Sequence, residues 1–84
     1  MRNTVTVRIP SRRFECRNGS SRKFWEVLLA GTQLITTWGK IGSAGQVTIK
    51  SFPTNAEALR AYKKLLDSKA TKGYRETSST AIPF

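Results

Sequence analysis

The sequence predicts an α+β domain: an antiparallel sheet of four to five strands with one α-helix packed on one face. Three observations predict it. Four runs rich in β-branched and aromatic residues occupy residues 12–52, separated by glycine-bearing turns. A single amphipathic helical stripe follows, flanked by a start signal and a stop signal. The 84 residues suffice for one small domain, and no internal repeat is visible.

The elements follow in order. Residues 4–9 alternate, with Val5, Val7 and Ile9 against Thr4, Thr6 and Arg8. Pro10 ends that pattern, so residues 1–11 read as an N-terminal arm or an added edge strand. Arg12 to Arg17 forms a short strand, and Asn18-Gly19 turns the chain because both residues tolerate positive φ. Lys23 to Leu29 is the second strand, and Gly31-Thr32 the next turn. Gln33 to Trp38 is the third strand, with Leu34, Thr36 and Trp38 on one face and Ile35 and Thr37 on the other. Gly39 to Gly45 connects it to a fourth, Gln46 to Phe52. There Val47, Ile49 and Ser51 face one way and Thr48, Lys50 and Phe52 the other.

Thr54 and Glu57 have capping-box spacing and open the helix. Ala58, Leu59, Tyr62, Leu65 and Leu66 make its apolar stripe. Lys69 and Lys72 suit the negative end of the helix dipole, and Gly73 is placed to terminate it, with Tyr74 able to pack back on the last turn. Residues 74–77 add a short closing strand, and 78–84 read as a tail. One helix covers one sheet face, yet the second strand is apolar on both: Phe24 and Leu28 against Trp25, Val27 and Leu29. Either the sheet curls over its second face or aromatic surface stays open.

Composition narrows the function. The chain carries 15 Lys+Arg against 5 Asp+Glu, for a formal charge of +10, and no His. The commonest general base and metal ligand is therefore missing. The single cysteine, Cys16, excludes an intrachain disulfide and a Cys-rich zinc site. The expectation is a non-enzyme with no cofactor and no metal. No apolar run has the length of a membrane span, and the N-terminus leads into no signal-peptide core. One free thiol without secretory features points to the cytoplasm.

The charge surplus favours a polyanionic partner, nucleic acid or an acidic protein, and no membrane. It is uneven: residues 1–23 carry +6, residues 24–59 carry zero and residues 60–84 carry +4. The sharpest local feature lies in the neutral middle: Trp38-Gly39-Lys40-Ile41-Gly42-Ser43-Ala44-Gly45-Gln46. Its glycines permit positive φ and close approach, and Lys40 could meet a phosphate. The spacing is neither a Walker loop nor a dinucleotide fingerprint. The residues alone leave open a phosphate-facing loop or a tight β-connection whose Trp is core.

The sequence resembles the WGR domain from Arg13 to Glu76. The resemblance rests on Lys23-Phe24-Trp25-Glu26-Val27, on Trp38-Gly39-Lys40-Ile41-Gly42 with Gly45-Gln46, and on Lys50-Ser51-Phe52. It continues through Ala58, Lys69 and Lys72-Gly73-Tyr74, in the family's order and spacing. Lys40 stands where the signature has Arg, which keeps the charge and loses the planar fork. The resemblance places a WGR-like domain at residues 12–77 in a protein of small bacterial type, and implies the same α+β fold.

In poly(ADP-ribose) polymerases the module binds DNA while a separate domain catalyses. Carried over by position, Trp38 would stack on a nucleotide and Lys40 would contact phosphate. Gly39 and Gly42 would shape the loop. Lys50, Lys72, Arg75, Arg12 and Arg13 are the further candidate nucleic-acid contacts. The expectation is a monomeric module that reads DNA rather than RNA, at ends, nicks or gaps rather than by sequence. The alternative is an accessory module whose Trp-Gly-Lys loop docks a partner protein.

Overall fold

Two-residue turns set the sheet. Gly19 and Gly31 take the first turn position with φ of 59° and 64°, where an L side chain would be strained. They pair Asn18 with Ser21 and Ala30 with Gln33, which fixes the register of three strands. The first turn is thus centred on Gly19-Ser20, one residue beyond Asn18-Gly19. The computed structural model describes residues 8–79, and the side chains of residues 9–77. Within that range lie β1 (Arg8–Asn18), β2 (Ser21–Ala30), β3 (Gln33–Lys40), β4 (Gln46–Ser51), α1 (Asn55–Thr71) and β5 (Arg75–Ser79). The sheet order is β4-β3-β2-β1-β5, antiparallel throughout. The α+β expectation holds, with five strands and one helix. The alternating residues Val5 and Val7, and the end of the tail at 80–84, lie outside the described residues.

β1 does not stop at Pro10. It runs through it, and the β1–β2 register shifts between Ile9 and Arg12. Proline has no N–H to donate, so a break in the ladder suits it. The shift has a packing consequence. Ile9 sits opposite Leu29, and Phe14 opposite Trp25, so odd-numbered Ile9 and even-numbered Phe14 reach the same face.

That face carries the core. Phe14, Trp25, Val27, Leu29 and Leu34 pack against Ala58 and Tyr62 of α1, with Leu65, Leu66 and Phe52 at the margins. Phe14 and Trp25 meet with ring centroids 5.6 Å apart. α1 is held at both ends as its sequence requires. Glu57 N–H donates to Thr54 Oγ1 at 3.1 Å. At the far end Tyr74 N–H bonds Lys69 C=O and Gly73 N–H bonds Ala70 C=O, with Gly73 at φ 95°. This is the paired-bond stop that a glycine past the last turn allows.

The second face is closed differently. Phe24 points away from α1 yet is only 2% exposed. The 41–45 loop folds back over it: a Cβ on Gly45 would lie 2.7 Å from the Phe24 ring. Arg13 covers its other side, with the guanidinium carbon 4.4 Å from the ring centroid. The aromatic part of this face is thus sheltered by a loop and an arginine. Beyond them Val47 and Ile49 remain open to solvent.

Candidate nucleic-acid interface

Trp38 is paired directly with Trp25, so both rings lie on the helix side of the sheet. They differ in cover. The end of α1 and Tyr74 lie over Trp25, which is 3% exposed, whereas Trp38 lies beyond them at 41%. The Trp38 indole N–H reaches Thr48 Oγ1 at 3.5 Å, which ties the ring to β4. Trp38 is therefore an open aromatic wall and not core.

Between that wall and the end of α1 lies a groove of about 850 Å³. Arg22, Lys23, Lys40, Lys69 and Lys72 line it with Trp38 and Tyr74, and no Asp or Glu is among its described lining residues. Lys23 and Lys40 are directly opposed on β2 and β3, a like-charge pair that costs stability. Lys69 forms the floor. Its Nζ lies 5.4 Å from the Trp25 ring centroid and 5.2 Å from that of Tyr74. Burial pushes the Lys69 pKa below its ordinary value, and the charges of Lys72 and Lys23 push it the same way. Burial also raises the Tyr74 hydroxyl. Such a concentration of unneutralised cations beside an open ring suits a phosphate with an attached planar or sugar group.

The loop after Trp38 is held as a tight β-connection. Ser43 donates to the Lys40 carbonyl from both its N–H (3.0 Å) and its hydroxyl (2.7 Å). A Cβ on Gly39 would come within 2.9 Å of Gly45 Cα. Gly42 takes φ 97° with open space around it. The glycines serve loop closure over Phe24, and the closed loop presents Trp38 and Lys40 on the opposite side.

Of the residues singled out from the sequence, the groove gathers Trp38, Gly39, Lys40 and Lys72. Gly42 stands in the adjoining loop. Lys50 is exposed opposite Leu34, four positions along β4 from the residue paired with Trp38, about 13 Å away. Arg75 pairs with Glu15, on the face away from α1. Arg12 is bound to Glu76 through two nitrogens, at 2.9 and 2.7 Å, and reaches Tyr62 Oη at 3.4 Å. Arg13 bridges Glu26 at 2.7 Å and Glu15 at 3.1 Å. These pairs raise both arginine pKa values and lower that of Glu76, while Glu15 is lowered first by Arg17 and then by Arg13. Three groove residues, Lys23, Lys69 and Tyr74, entered the sequence reading through strand, helix-end and family-resemblance patterns and not as candidate contacts. The Lys23–Lys40 pairing could have been found by counting back from the Gly31-Thr32 turn.

Comparison with known proteins identifies relatives of the fold. A family profile described as WGR domain matches residues 11–81. Protein YehF of Escherichia coli K12 is 43% identical over 65 residues, which span 77% of this chain and 24% of YehF. The crystal structure of a Bacteroides fragilis protein superposes with a TM-score of 0.79 at 40% identity, over 81% of this chain and 19% of that one. The chain thus spans about a quarter of the length of YehF and less of the other.

Proposed function

Because the chain belongs to the WGR domain family, we propose that it is a non-catalytic nucleic-acid-binding module whose site is the lysine-lined groove beside Trp38. The family is linked to nucleic-acid binding in proteins related to the poly(ADP-ribose) polymerases. The observation that carries the reading is the groove itself: four lysines, Arg22, one open tryptophan and no carboxylate among its described lining residues. The protein keeps Lys23 opposite Lys40, and sets Lys69 where burial and then the charges of Lys72 and Lys23 disfavour its charged form. Phosphate in the groove relieves both costs at once.

The reading extends to DNA over RNA, and to ends, nicks or gaps over intact duplex. Stacking on Trp38 needs a sugar or base with a free face, which an interrupted strand supplies and a continuous one does not. Among the described residues no helix projects base-reading side chains, so sequence preference is weak. Five groove cations, Arg22 and four lysines, set a ceiling on the salt response: log K falls against log salt with a slope no steeper than about −4.5 from this site.

The test is fluorescence anisotropy with a nicked duplex and with a hairpin-capped intact duplex of the same sequence. Trp38→Ala removes a stacking contact worth roughly 1–3 kcal/mol, so nicked-duplex affinity falls about five- to a hundred-fold while intact-duplex affinity changes little. Equal affinity of wild type and Trp38→Ala for nicked DNA at moderate salt overturns the role of Trp38.

A further inference from the structure

Next to the Trp38 wall of the groove, β4 is an edge strand with every side chain exposed, and its Val47 and Ile49 lie on the face away from α1. Val47 and Ile49 are 61% and 60% exposed and are, with Trp38, the large apolar side chains that the described residues leave open. Edge strands are usually blunted by charge, proline or a bulge. β4 has one lysine and none of the other devices.

Its backbone phase is set by two hydrogen bonds. Ile41 N–H donates to Arg22 C=O at 3.0 Å, and Phe52 N–H to Thr32 C=O at 2.9 Å. Both fall on the register of their ladders. Alternation then directs Gln46, Thr48 and Lys50 toward β3. Val47, Ile49 and Ser51 turn their N–H and C=O groups outward, where no strand lies among the described residues.

We propose that β4 pairs antiparallel with β4 of a second copy of this chain, about a two-fold axis at Ile49. That register uses every outward group: Ile49 faces Ile49 of the second copy, and Val47 faces Ser51 twice. Three bonded pairs exchange two bonds each, six in all. It also aligns side chains. Leu28, Ile35 and Ile49 are directly opposed across β2, β3 and β4. The two-fold axis extends that rung unbroken into Ile49, Ile35 and Leu28 of the second copy. No like charges are opposed, since Lys50 faces Thr48.

The rival two-fold axis at Thr48 strands Ser51 against Gly45, which has left the strand at φ 79°. β4 brings a single charge per copy to the seam, Lys50, in a chain of +10. The contact is small against the roughly 1,200–2,000 Å² of a stable interface. Association is therefore weak and concentration-dependent, and strengthens with salt, opposite in sign to phosphate binding.

Sedimentation equilibrium of the full chain from about 20 µM to about 1 mM, at low and moderate salt, tests it. The expected result is a mass rising toward the dimer, more so at moderate salt, with slowed amide exchange at Val47, Ile49 and Ser51. Ile49→Lys opposes two charges at the axis and weakens association by about tenfold or more. Ile49→Thr keeps strand propensity, removes the apolar contact and weakens it by less. A monomer mass at about 1 mM in moderate salt overturns the proposal. So does association that both variants leave intact, or one whose amide changes fall at Trp38 and Lys40.

Discussion

Gly45→Ala is the substitution that most directly tests how the loop behind Trp38 is built. Gly45 has φ 79°, and a Cβ there would lie 2.7 Å from the Trp38 carbonyl oxygen and 2.7 Å from the Phe24 ring. The ring can swing a little. The carbonyl belongs to the β3 backbone and cannot move without disturbing the strand. Positive φ costs an alanine about 1–2 kcal/mol, and forced overpacking a further 1–3 kcal/mol. The expected loss is about 3 kcal/mol. A chain of this length has roughly 4–12 kcal/mol in total, so the variant loses about 10 °C or more in Tm. Gly42→Ala is the matched control. It also has positive φ, at 97°, but open space around the added methyl. It bears the backbone strain alone, about 1–2 kcal/mol. Urea denaturation followed by far-ultraviolet circular dichroism measures both. A Gly45→Ala loss within about 0.5 kcal/mol of the Gly42→Ala loss refutes the close packing of the loop over Phe24 and Trp38.

Two further outcomes follow from the charges. Lys23→Gln removes a like-charge neighbour of Lys40 and a cation near Lys69. Thermal melts show stability gained by a few tenths of a kcal/mol while DNA titrations show weaker binding and a salt slope reduced by about one. Glu76 and Glu15 have pKa values held down by their arginine partners, first Arg12 for Glu76 and Arg17 then Arg13 for Glu15. Their contribution is complete above the ordinary glutamate pKa and is lost as pH falls through the lowered folded values. Glu76→Gln therefore flattens the acid limb of the stability curve, read as Tm from pH 6 downward, and leaves DNA affinity at neutral pH unchanged.

Much of the fold was legible because its signals are local. Thr54 and Glu57 mark the helix start, and Gly73-Tyr74 its end, through bonds that span a single turn. The two faces of β3 and of β4 follow from alternation alone. What alternation could not convey was the β1 irregularity. Pro10 read as a terminator, but tertiary pairing carries β1 past it and uses the shifted register to seat Ile9 in the core. The Phe24 face was left open between a curled sheet and bare aromatic surface. The actual cover, a loop folded back on the strand, depends on contacts between residues about twenty apart.

The site divides the same way. By itself the sequence determined the residue types of the candidate site: an aromatic at a strand end, a basic neighbour, and glycines to close the loop behind them. It also placed the positive charge at the two ends of the chain, around a neutral middle. Only the tertiary structure decided what that charge does. Arg12, Arg13 and Arg17 are drawn into pairs with Glu76, Glu26 and Glu15. Lys23 from one charged end, and Lys69 and Lys72 from the other, converge on Trp38 and Lys40 of the middle. The reason is geometric. Strand register sets Lys23 beside Lys40, and the crossing of α1 from one sheet edge toward the other sets its lysine-bearing end against them. Neither distance is written in the spacing of the residues along the chain.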